Sequence, residues 1–240
     1  MAPQPPKPQR RTRHSSRPLN GDGHPASIFV NISRAAHVRT GIRVEVFSVI
    51  WMVIEAIVAI GAGIIAGSAL LTAFGLDSVI ELVSAGVLLW RLLMEEKEGD
   101  TQRVERAEHR AAWIVGIALA LLCVYVLLTA IYGIAVHAMP ESSPIGIAIS
   151  ASAVIVMPWL AVTKRRIAKQ IDSGALRGDA ASSLTCGYMA ATVLVGLALN
   201  ALFHWWWAED VAALVFLFWL VQETREALEE ARDEKEDDTD

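Results

Sequence analysis

Cysteine is scarce in this sequence. Of 240 residues only Cys123 and Cys186 are cysteine, and both lie inside apolar runs, which argues against a disulfide framework. A secretory leader is also missing, because residues 1–27 are rich in Pro, Arg and Ser with no apolar segment and no small-residue cleavage site. No HExxH, CxxC pair, Walker loop or Ser/His/Asp arrangement occurs, so no nucleophile and base are paired and an enzyme is not expected. Charge itself is absent from long stretches. The net charge of −5 conceals a basic N-terminal part and an acidic C-terminal part that largely cancel.

What fills the uncharged stretches is apolar. The chain is 54% hydrophobic, against roughly 45–50% for soluble chains even when Gly is counted. A helix needs about 20 mostly apolar residues to cross a bilayer, and six segments approach this: 44–66, 69–93, 111–137, 144–162, 180–203 and 211–221. The last reads as starting near Trp207 and continuing as helix to Leu228. Lipid offers no partner for backbone N–H and C=O, and none of these segments alternates with a period of two, so each is expected to be a helix. Pro158 is expected to kink the fourth or leave a carbonyl unpaired.

The expected architecture is therefore an all-α membrane protein, a six-transmembrane-helix bundle over residues 28–228. A disordered basic tail over 1–27, able to touch anionic headgroups, and an acidic tail over 229–240 flank it. Lys and Arg are absent from the turns near Gly67, at 138–143 and at 204–210. They fall before residue 44, in the 91–110 and 164–177 connections, and after residue 221. By the positive-inside rule both termini are expected in the cytoplasm, with the plasma membrane as the site. The run Trp205-Trp206-Trp207 suits the opposite water–lipid interface. The mixed charges of 91–110 read as helix ends in water and not as a nucleic-acid surface.

Ionisable residues inside a span cost roughly 2.5–3.5 kcal/mol on insertion scales. Asp77 and Glu81 stand at i, i+4 in the second segment, on one helix face. Two anions there do not both ionise unless a cation or proton lies between them. A divalent-cation pocket or proton exchange meets that need, and the plain alternative is a pair of neutral carboxyls bonded to a neighbouring helix. Asp179, Ser182 and Cys186 stand at i, i+3, i+7 on one stripe of the fifth segment. Carboxylate and thiolate can hold softer ions such as zinc, cadmium or cuprous copper, although buried Cys and Ser also serve simply as packing and helix glue. Glu55, alone in the middle of the first segment, is a proton site or a hydrogen-bond partner for another helix. Glu45 sits near Arg39 and Arg43 and reads as a local ion pair. Gly61, Gly63 and Gly67 lie in an apolar helix with no strand before them, which fits close helix contact better than phosphate binding.

The stretch Ala66-Gly67-Ser68-Ala69-Leu70-Leu71-Thr72-Ala73-Phe74-Gly75-Leu76-Asp77-Ser78, with Glu81 following, resembles the turn and second helix of the cation diffusion facilitator transporters. The Asp179 region before a polar fifth helix, and Trp207-Ala208-Glu209-Asp210 before the last helix, are similar too, and the resemblance covers about residues 40–228. In that family helices two and five each offer two ligands at i, i+4 to a zinc-type ion. The ion exchanges for protons, and the proteins usually form homodimers. Carried over, the resemblance implies metal ligands at Asp77 and Glu81, and at Ser182 and Cys186, where the family typically has His and Asp. Asp179, one turn earlier, is a substitute for one of these places, and the set would be roughly tetrahedral. The family's cytoplasmic metal-sensing domain is not expected here.

The expected function is transport of a divalent metal cation (zinc, cadmium, cobalt or iron), by efflux against protons, with Glu55 assisting proton coupling. The cation is the substrate, no prosthetic cofactor is implied, and the partners are the metal ion, protons, the lipid bilayer and a second copy of the chain. The alternative is a metal-binding membrane scaffold or regulatory subunit that transports nothing.

Overall fold

Small polar residues set the helix ends. Between the first two helices the chain turns at Gly67, whose φ of +66° lies in the left-handed region that a side chain resists. Ser68 then caps the next helix, its Oγ accepting from the Leu71 N–H at 3.2 Å. Ser143 caps the fourth helix, accepting from Gly146 N–H at 3.0 Å, with Pro144 in the first helical position where its missing N–H is harmless. Ser173 caps the fifth, and His204, in the left-handed conformation, ends it by donating its N–H to the Asn200 carbonyl.

The structure, a computed structural model, describes residues 25–96, 101–171 and 173–237. Six helices follow in order: α1 (Pro25–Ala66), α2 (Ala69–Glu96), α3 (Thr101–Val136), α4 (Pro144–Ile171), α5 (Gly174–Phe203) and α6 (Ala208–Asp237). The expected all-helical bundle is what forms. Five helices carry stretches long and apolar enough to cross a membrane: Val38–Ala66, Ala69–Trp90, Trp113–Val136, Pro144–Ile171 and Leu176–Phe203. The sixth is a long helix, but its uninterrupted apolar run covers only 211–221, about 16 Å at 1.5 Å per residue. Acidic residues flank that run, and Glu209 at its start is buried inside the bundle.

Several helices outlast their apolar segments. The connection read at 164–177 is largely helix, because α4 runs to Ile171 and α5 begins at Gly174. α6 runs on through most of the acidic tail, and α1 already starts at Pro25, inside the stretch read as a disordered tail. Residues 1–24 of that tail and 238–240 of the acidic one lie outside the described residues. α4 continues as one helix through Pro158. Of the three glycines read as contact positions, Gly63 packs against the Thr72 backbone, Gly67 makes the turn, and Gly61 faces open space.

The helices close into a ring in the order α1, α2, α3, α6, α5, α4, with α2 and α5 also meeting across the middle. The core between them is built from Phe74, Leu71, Met157, Met189, Val193 and Phe216, all essentially without exposed surface. Large apolar side chains such as Ile57, Ile65, Leu121, Leu128 and Ile155 point outward, as they must when the surroundings are lipid. Because α2 and α5 approach through the middle of the ring, polar residues on their facing stripes meet away from lipid.

Candidate metal centre

Three ligand-bearing side chains meet at that crossing. Oxygens of Asp77 and Glu81 and the sulfur of Cys186 all lie within 4.8 Å of one another, the one such group among the described residues, and all three residues are buried. Their hydrogen bonding separates them sharply from an ordinary buried polar cluster. Asp77 has 0% exposure, and neither of its oxygens receives a hydrogen bond. Glu81 receives one, from Ser182 Oγ at 2.7 Å, while its other oxygen has no partner. A buried carboxyl without donors is costly, so three orphaned oxygens at one point call for a positive charge or protons from outside the protein.

Glu55 makes the opposite case. It is equally buried but well supplied. Trp51 Nε1 donates to it at 2.6 Å, Ser78 Oγ at 2.8 Å, and the Cys186 thiol points at it from 3.9 Å. Its carboxylate is held in place by α1 and α2 side chains, with only the thiol linking it to the ligand group. Glu55 thus has hydrogen-bond partners on its own helix and on α2.

Asp179 does not join the group. Its Oδ2 lies 2.5 Å from Lys164 Nζ, and the same ammonium is 3.2 Å from Glu45 Oε2. Glu45 is thus paired across helices with α4, and not locally with Arg39 and Arg43 as expected. The physical reason is burial. Lys164 and Glu45 have no exposed surface, and charges that far from water must be paired. An ammonium shared between two carboxylates leaves Asp179 engaged, so it is not a free metal ligand in this arrangement. Ser182, by contrast, sits against Glu81 and reaches it through a hydrogen bond.

Sequence reading gave no site role to three residues here. Lys164 was counted as the first residue of a charged connection, yet it follows Met157 and Leu160 at helical spacing on the buried stripe of α4. Glu223 stands two residues past the sixth apolar run. It continues the buried positions Phe216 and Leu220 at i+7 and i+3, and its Oε1 lies 2.7 Å from Ser182 Oγ. Glu209 begins α6 and collects hydrogen bonds from Ser68 Oγ and from Asn200 Nδ2 at 2.7 Å. Asn200 also donates to the Pro140 carbonyl at 3.0 Å, so one end of the bundle is tied by groups from four chain segments. In each case the apolar period was there to be extended by one turn.

Comparison with known proteins agrees with this architecture. Residues 46–234 match the cation efflux transmembrane domain. Among curated proteins the chain is similar to Transmembrane protein 163 of Xenopus laevis, 28% identical over 142 residues, which is 59% of this chain and 49% of that protein. It is also similar to an uncharacterized transporter of Synechocystis sp., 25% identical over 158 residues, 65% of this chain and 51% of that one. The chain thus spans about half the length of these relatives. Since the family match covers most of the sequence, the chain belongs to the cation efflux family and is an integral membrane protein.

Proposed function

We propose that this cation efflux family member carries a zinc-like divalent cation (zinc, cadmium, cobalt or ferrous iron) out across the plasma membrane in exchange for protons. Asp77, Glu81 and Cys186 are its ligands, with Ser182 orienting Glu81. The observation that carries the reading is Asp77, a fully buried carboxyl whose two oxygens have no partner and face a second carboxyl and a thiol. Carboxylate and thiolate together suit borderline-soft ions. Such ligands must lose protons to bind metal, which makes protons the natural counter-substrate. Membership in the family supports a cation as cargo. The clustering of Lys and Arg at one end of the bundle supports cytoplasmic termini. Two copies per transporter is the assembly the family resemblance favours.

The test is metal flux into proteoliposomes with an imposed pH gradient, comparing zinc, cadmium, cobalt, iron and manganese. The expected result is gradient-dependent flux of the zinc-like ions that Asp77→Ala reduces to background. Wild-type flux in Asp77→Ala sinks the assigned site. Binding without flux of any ion in well-folded protein favours the scaffold reading.

A further inference from the structure

We propose that Glu223 of α6 is a further ligand of this cation site, so that α2, α5 and α6 all contribute to holding the cation. The proposal rests on reading Asp77, Glu81 and Cys186 as that site. Those three supply one donor short of the four that zinc-type ions usually take. The sequence offered Asp179 or Ser182 for the vacancy. Asp179 is engaged by Lys164, and a serine hydroxyl is a weak ligand beside a carboxylate.

Glu223 is placed to fill it. The single Ser182 hydroxyl lies 2.7 Å from Glu81 Oε1 and 2.7 Å from Glu223 Oε1. A hydroxyl has one hydrogen and can donate to only one of two carboxylates, so with both ionised the other contact brings two oxygens together with no donor between them. The remaining oxygens, Glu81 Oε2 and Glu223 Oε2, are buried and also without partners. A cation seated among them answers all of these contacts together, and the thiol and Asp77 complete its surroundings. An independent sign that something positive belongs here is Asp77, 0% exposed with neither oxygen satisfied. The helix geometry agrees, since Phe216 and Leu220, on the same face of α6, are completely buried.

The experiment measures zinc and cobalt binding to the full chain in detergent. Asp77→Ala, Glu223→Gln and Glu223→Cys are compared with the wild type. Asp77→Ala is expected to abolish zinc binding, and Glu223→Gln to weaken it by at least about tenfold, the scale seen even for losses around a metal site. Glu223→Cys brings a second thiolate to the ion, so the thiolate-to-cobalt charge-transfer absorption roughly doubles against the wild type. Unchanged zinc affinity in a folded Glu223→Gln, with binding abolished in Asp77→Ala, overturns the Glu223 assignment and leaves the two-helix site standing. If Glu223→Gln does not fold, a one-thiolate cobalt spectrum in Glu223→Cys overturns it equally. Wild-type zinc binding in Asp77→Ala, or no zinc binding by the wild type, overturns both readings.

Discussion

Two aspartates, Asp179 on α5 and Asp77 on α2, have opposite surroundings because of a single lysine. Asp179 and Glu45 share the Lys164 ammonium, whereas Asp77 has no donor at all. Removing one partner of a buried ion pair leaves the other charge uncompensated, at about 3–5 kcal/mol. Lys164→Met is therefore expected to lower stability by about that much, read as a fall in the thermal unfolding midpoint in detergent. Adding Asp179→Asn and Glu45→Gln to Lys164→Met is expected to recover part of the loss. An unshifted midpoint in Lys164→Met would mean that the triad holds nothing together. At this scale the sequence was informative in proportion to how unusual a residue is in its setting. Asp77, Glu81 and Glu55 stand out in apolar runs. Lys164 and Glu223 were hidden because they sit where apolar runs give way to charge, and only the 3.6-residue period separates an inward side chain from a solvated one.

α1 and α2 pack closely, and the reason is local. A Cβ placed on Gly75 would lie 2.8 Å from the Ile60 backbone nitrogen and 3.1 Å from Ala59 Cβ, contacts that only displacement of α1 can relieve. Gly75→Ala is expected to cost about 1–3 kcal/mol, as overpacking of a tight core does. It should also weaken metal binding, because Asp77 is two residues further along α2. Unaltered stability together with unaltered binding would contradict the close packing. Helix number and order follow from the apolar segments and the Lys and Arg pattern alone. The helix ends did not, because α4, α5 and α6 extend well past their apolar parts. Charged residues interrupt the hydropathy there, yet the extensions of α4 and α5 still bury Ile167, Ala168, Ile171 and Leu176 against Val38 and Leu88. The short apolar run of α6 reads weakly for a related reason, since its flanking acids Glu209 and Glu223 are turned into the bundle and away from lipid.

For the molecule as a whole, the ring is tied at both ends. The Glu209 cluster joins the α1–α2 turn, the α3–α4 loop, α5 and α6 at one end, and the Lys164 triad joins α1, α4 and α5 toward the other. Under the proposed function the cation sits between the ties, and release toward either end requires one of them to part, as alternating access demands. A cation bound there links α2 to α5 across the middle of the ring. That makes its coordination shell the most direct test of the central claim, that the transported ion is held by Asp77, Glu81 and Cys186. X-ray absorption of the zinc-loaded protein is predicted to show one sulfur at about 2.3 Å among oxygen ligands at about 2.0–2.2 Å, with the sulfur shell lost in Cys186→Ser. A shell without sulfur, or one that Cys186→Ser leaves unchanged, would place the ion elsewhere and contradict the account.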